Sequence, residues 1–287
     1  MRCNIVLYQP NVPSLINLKA YDDVARSVAF GLQQAGHEAH LTVNSFLRDA
    51  DRYYLFAAHL MPLELLQQFP PGTRVFNLEQ YHHLGNITRA GLGPGMSHIV
   101  EHFQAIEYSG YNMPFWEAVQ PTLPVIIQPI PYAACLQIPN AEQAVQDIDV
   151  LYYGSIGGER KLGFLMAAMG KSRIRPKTVL MQNIYGTERD DYIRRAKIVL
   201  SATGDRIFPE VRTSYLLSNQ KAVISDIGET DLIDPFYRDN LIFADKHTIE
   251  DRLFELLTDD GKRLDYAQRC HALMKTRSID AYINAIA

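Results

Sequence analysis

Apolar positions in the first 130 residues come in two alternating rhythms. Residues 4–9 form a short run around Ile5, Val6 and Leu7, the density expected of a strand buried on both faces. Residues 21–35 place Val24, Val28, Leu32 and Ala35 at intervals of three and four, which predicts a helix, and Gly36 supplies its stop. Residues 37–44 then alternate as a second strand. Further strands are expected over 53–58 and 73–78, with a proline-containing segment, 61–71, between them. Residues 96–103 and 112–119 have helical spacing, and 105–108 and 124–128 read as short strands. Strand, helix and strand in repeated order predict a mainly parallel sheet covered by helices.

The pattern then breaks. Residues 129–140 are rich in proline and weakly periodic, and a polar run follows to Asp147, which marks the expected linker. After it the rhythm restarts: strands over 149–153, 178–181, 197–201, 222–225 and 241–244 alternate with helices over 159–169, 189–196 and 211–218. From Ile249 onward the chain is helical, with a break near Asp259-Asp260-Gly261. No short repeat period is present. Two α/β domains follow, 1–135 and 136–287, with the last helix expected to pack back on the N-terminal domain.

Composition narrows this picture. At 287 residues, with 47% hydrophobic and 21% charged residues, the chain has enough apolar material for two packed cores. The formal net charge of −4 argues against gripping nucleic acid by overall charge. Cys3, Cys135 and Cys270 are odd in number, far apart and without metal-ligand spacing, so they are expected as reduced thiols. The first apolar run is too short for a signal peptide, and no stretch approaches about 18 uninterrupted apolar residues. The expected setting is cytoplasmic, without a transmembrane segment.

Candidate chemistry gathers where predicted strands end. His59 follows one strand and Glu79-Gln80 another, the positions beyond strand carboxyl ends where open α/β sheets hold ligands. Gly154-Ser155-Ile156-Gly157-Gly158-Glu159-Arg160-Lys161 joins a strand to a helix. Its small residues allow close approach to a phosphate, the helix N-terminus offers N–H groups, and Arg160 and Lys161 add positive charge. The spacing fits neither the dinucleotide fingerprint nor the P-loop. Its other reading is a tight βα turn with a solvated Arg-Lys pair.

Tyr185-Gly186-Thr187-Glu188-Arg189 opens a charged helix with Thr187 as the expected cap, acidic residues in its first turn and Arg194 and Arg195 at its end, which suits the helix dipole. A third segment, residues 208–226, sets Glu210, Val211 and Arg212 at the start of a helix and Val223-Ile224-Ser225 in the next strand. A glutamate there can accept hydrogen bonds from vicinal ribose hydroxyls while the helix N-terminus faces phosphates; alone, it equally serves the dipole.

These three segments, in this order, resemble the C-terminal lobe of glycosyltransferases built from two facing Rossmann-like domains, the GT-B architecture. The likeness is to the bacterial spore-protein CgeB-like and family-1-like groups. It rests on Gly154-Ser155 with Arg160, Tyr185-Gly186 with Glu188-Arg189, Lys197 to Leu200, and Glu210-Val211-Arg212 with Val223-Ile224-Ser225. The N-terminal Asn77-Leu78-Glu79-Gln80 and Ile106-Glu107-Tyr108-Ser109 look like the acceptor lobe of the same proteins.

The resemblance implies transfer of a sugar from a nucleotide-sugar donor to an unknown acceptor. Donor binding is expected from Gly154, Ser155, Arg160, Lys161, Tyr185, Glu210, Val211 and Arg212. No metal and no cofactor is implied, the nucleotide-sugar being a substrate. Many retaining members carry a second glutamate eight positions after the first, where this chain has Ser218. A proton-accepting base is therefore sought in the N-terminal half, among His59, Glu79 and His82. Tyr108, Tyr111, Phe115 and Trp116 are candidates for stacking on a ring or for core packing. Competing readings are a non-catalytic nucleotide-sugar binding module and a phage-type enzyme modifying DNA bases, the latter disfavoured by the acidic charge.

Overall fold

The fold comes from a computed structural model, which describes residues 1–10, 12, 18–79, 88–139, 141, 144–170, 174–202, 208–226 and 233–286. It divides into two compact units, Met1–Cys135 with Arg277–Ala287, and Leu136–Thr276.

Unit 1 contains β1 (Arg2–Leu7), α1 (Tyr21–Gln34), β2 (Glu38–Val43), β3 (Arg52–Phe56), α2 (Leu63–Leu66), β4 (Arg74–Asn77), α3 (Pro94–His102), β5 (Gln104–Glu107), α4 (Met113–Val119) and β6 (Ile126–Ile127). The strands pair in parallel in the order β2-β1-β3-β4-β5-β6, with Asn4 opposite His40 and Tyr53. α1 ends as its spacing predicts, and Gly36 behind it takes φ 82°, a left-handed conformation that glycine adopts without steric cost. One face of the sheet buries Val6, Tyr53, Leu55 and Val75 against Leu66, Phe69, Ile99 and Phe103. Phe115 and Trp116 join Val100, Ala105 and Val119 in a second cluster, so both rings are core residues. Tyr108 and Tyr111 are buried too.

Unit 2 contains β7 (Ile148–Tyr153), α5 (Glu159–Met169), β8 (Thr178–Met181), α6 (Gly186–Arg195), β9 (Ala196–Ser201), α7 (Glu210–Ser218), β10 (Ala222–Asp226), α8 (Pro235–Arg238), β11 (Ile242–Ala244), α9 (Ile249–Thr258) and α10 (Asp260–Lys275). Its five strands are parallel in the order β11-β10-β9-β7-β8. Ile198, Val199 and Leu200 in β9 are fully buried, each contributing about 1.5–3 kcal/mol of apolar transfer. α6 begins two residues earlier than a Thr187 cap would place it. Gly186, at φ 56°, turns the chain in, Tyr185 occupies the cap position, and Thr187 falls inside the first turn.

The remaining helix, α11 (Ile279–Ile286), belongs to unit 1 and packs on α1 at Gly31, where a Cβ would stand 2.4 Å from Ile279 Cγ1 and 2.6 Å from Ile283 Cγ1. Among the described residues no helix is long and apolar enough to cross a membrane.

Candidate functional site

In a parallel α/β sheet the loops diverge, and leave a crevice, where the strand order reverses. In unit 2 this happens at β7, which has β8 on one side and β9 on the other. The segments leaving β7 and β9 are those containing Gly154 and Glu210.

Arg212, in the first turn of α7, spans this crevice. Its Nη1 donates to the Ala202 carbonyl at 3.4 Å, and its guanidinium lies 5.7 Å from the Tyr152 ring centroid and 5.3 Å from that of Tyr153. Gly154 is what admits it. A Cβ at that position would stand 2.6 Å from Arg212 Nη2, and the backbone φ of 133° is one that L side chains rarely adopt. Below the arginine, the Tyr152 hydroxyl donates to the Ser155 carbonyl at 2.7 Å. Burial pushes the Tyr152 phenol up and Arg212 pulls it down, with burial winning, so it stays a donor at neutral pH. Tyr185, half-buried, is also held above the ordinary phenol value by burial and also lies within the field of Arg212.

Glu210 and Val211 are the first two residues of α7, and Glu210 is buried. The preceding Pro209 has no side-chain acceptor, so the start of α7 has no side-chain cap, and the Glu210 N–H donates to the Phe208 carbonyl at 2.9 Å. Arg160, in the first turn of α5, donates from Nη2 to Asp226 Oδ1 at 2.5 Å, while its buried Nη1 has no hydrogen-bond partner among the described residues. Lys161 is used differently. Its Nζ donates to the carbonyl and hydroxyl of Ser155 at 3.0 and 3.1 Å, fastening the loop after β7. Arg189 lies 3.9 Å from the Tyr215 ring and donates to Asp190, tying α6 to α7 rather than entering the crevice.

In unit 1 the order reverses at β1, between β2 and β3. Just past β3, Ala57 takes φ 57° and ψ 32°, uncommon for a residue with a Cβ, and turns the chain into the short helical turn that presents His59. His59 Nε2 stands 4.0 Å from Glu79 Oε1, beyond direct hydrogen-bond length. Tyr21 donates its hydroxyl to the same Glu79 oxygen. Burial lowers the His59 pKa and Glu79 partly offsets this, leaving the imidazole below its ordinary 6.5. His82 and Gln80 lie outside the described residues.

Three groups at this end escaped the sequence reading as site residues: Asp226, Asn77 and Glu107. Each is a carboxylate or amide residue at the last position of its strand, a signal that was present in the sequence. A cavity of about 610 Å³, lined by Gln137, Asn219, Gln220, His271 and Lys275, opens beside the turn from α7 to β10. This is the amino end of the sheet, opposite the crevice. Among the described residues no group of three or more His, Cys, Asp or Glu is gathered for a metal ion.

No protein-family model matches the sequence, and no curated protein matches it. Solved structures do match it. An α-glucosyltransferase in complex with UDP and a 13-mer DNA containing an HMU base aligns with TM-score 0.66 at 10% identity, over 100% of this chain and 99% of that one. Sucrose-phosphate synthase from Thermosynechococcus elongatus aligns at 0.62 and 10% identity, over 99% and 98%. T4 phage BGT in complex with its UDP-glucose substrate aligns at 0.59 and 12% identity, over 100% and 99%. At such identity the likeness is one of fold, and it runs the full length: the chain has the two-domain α/β architecture of GT-B glycosyltransferases.

Proposed function

We propose that the chain is a nucleotide-sugar-dependent glycosyltransferase that binds its donor on unit 2 and is a member of the CgeB-like group its motifs resemble. The observation that carries this reading is Arg212, held over Gly154 at the switch point of the unit 2 sheet. There a guanidinium and the start of α7 border the crevice, while Arg160, paired with Asp226 and with one nitrogen to spare, stands at the start of α5 on the same end of the sheet. Two arginines and helix N–H groups suit a diphosphate, and Glu210 suits the ribose hydroxyls. T4 phage BGT, which shares the fold, is described with UDP-glucose.

Transfer requires the acceptor oxygen to attack the anomeric carbon as the bond to the diphosphate breaks, with the hydroxyl proton going to a base. His59, neutral at physiological pH and facing Glu79 at 4.0 Å, fills that role. Charge building on the departing diphosphate is met by Arg212 and Arg160 without a metal. The setting is cytoplasmic, where Cys3, Cys135 and Cys270 stay free thiols.

A calorimetric titration with UDP-glucose and other nucleotide-sugars tests the donor assignment. Binding that disappears in Arg212→Ala and Glu210→Ala supports it, and undiminished binding in both removes it. A second reading, transfer to DNA bases, is favoured by the fold likeness to the enzyme solved with a DNA 13-mer. The formal charge of −4 opposes it, and a salt-dependent gel shift decides between them. Donor binding without turnover on any acceptor pool would instead mark a binding module.

A further inference from the structure

Glu107 closes β5 at the carboxyl end of the unit 1 sheet, fully buried, with no cation among its hydrogen-bond partners in the described residues. Four donors converge on it. Oε1 accepts from the Ser109 backbone N–H and Asn112 Nδ2, both at 3.0 Å; Oε2 accepts from Asn77 Nδ2 at 2.7 Å and Trp116 Nε1 at 2.8 Å. Burial raises this carboxyl above its ordinary value, and the four donors offset only part of that rise. All four bonds require it to accept, which is the pattern of an ionised carboxylate. Such an arrangement is costly to build for packing alone, since an apolar side chain of similar shape carries no desolvation penalty.

What the two asparagines do with their other hydrogens gives the arrangement a purpose. Asn77 Nδ2 also donates to the Glu79 carbonyl at 3.1 Å, and Asn112 Nδ2 donates to the same carbonyl at 2.8 Å. Asn77 Oδ1 accepts from the Glu79 backbone N–H at 3.1 Å. Both amides are thus clamped between the Glu107 carboxylate and the main chain of Glu79, whose side chain reaches toward His59 on one side and Tyr21 on the other.

We infer that Glu107 is a positioning residue, acting through Asn77 and Asn112 to hold Glu79 against His59. It touches neither His59 nor any reacting atom. The inference rests on the assignment of His59 and Glu79 as the proton-accepting pair, but its test uses no substrate and so can fail separately from that assignment.

The experiment is an NMR titration of the His59 imidazole in the full chain. Glu107→Gln replaces one acceptor oxygen with an NH₂ group facing two donors, which opens the clamp. The expected result is a fall in the His59 pKa in Glu107→Gln comparable to the fall in Glu79→Gln. The double variant should then show no further fall, because the effect of Glu107 passes through Glu79. Should Glu107→Gln fail to fold, Asn112→Ala, which keeps the buried carboxylate, is expected to shift His59 in the same direction. An unchanged His59 pKa in the folded variants, alongside lowered thermal stability, would make Glu107 purely structural and overturn the inference. An equal shift when Glu79 is already Gln would overturn it as well, since the effect would then bypass Glu79.

Discussion

At the residue scale, environment decides what each ionisable group does. His59 illustrates this: burial alone would keep it neutral, and the facing Glu79 restores part of its basicity. If His59 takes the acceptor proton, kcat/KM is expected to rise with pH on a limb centred below 6.5 and stay flat above it. Glu79→Gln, which removes the charge raising the His59 pKa, moves that limb to lower pH. A pH–rate profile of both proteins checks this, and an identical limb in the two would separate Glu79 from the base. Lys221 shows the opposite economy of charge, buried with its Nζ donating to the Arg194 and Ala196 carbonyls, both at 3.1 Å. Burial, with Arg263 nearby, lowers its pKa to about 8 from 10.5. Between those values the unfolded chain binds more protons at this site than the folded one, so stability rises with pH across that window. The gain is about 3 kcal/mol at most. Denaturation of wild type and Lys221→Met at pH 7.5 and 10.5 measures it, since only the wild type should gain.

At the element scale, the loop after β7 and the first turn of α7 act as one device. The sequence offers Gly154 and Arg212 as separate donor-binding candidates, the former in a segment that also reads as an ordinary βα turn, and gives no sign that the two meet. Together they form a seat in which the missing Cβ of Gly154 makes room for the guanidinium. Gly154→Ala is expected to displace Arg212 and lower donor affinity tenfold or more. The strained φ adds about 1 kcal/mol or more of destabilisation. Calorimetry with UDP-glucose and a chemical denaturation curve read the two effects; unchanged affinity would mean that Arg212 does not contact the donor. The strand and helix positions behind this device were legible to within a few residues, because buried parallel strands write themselves as dense apolar runs. Two short helices, α2 and α8, were not, since four residues are too few to establish a period.

At the scale of the whole molecule, the chain starts and ends in the same unit. α11 covers α1 at Gly31, so the core of unit 1 is complete only when residue 286 is in place. Gly31→Val is expected to overpack this contact and cost about 1–3 kcal/mol in unit 1, measured by denaturation. Deleting residues 277–287 should lower the melting temperature of unit 1 while any UDP-glucose binding, which we assign to unit 2, persists. The alternation of apolar rhythms determined by itself that there are two parallel sheets, roughly where each strand lies, and which loops leave strand carboxyl ends. These are local properties of pattern and period. Strand order is not local. Only the tertiary structure set β9 rather than β8 against the far side of β7, and β3 against β1, and so fixed which loops border a crevice. The same long-range pairing brought Glu107 under Glu79, 28 residues earlier in the chain, and His59 to within 4.0 Å of it. Contacts between residues so far apart in sequence leave no periodic trace, because their energy depends on positions that exist only after the sheet has closed.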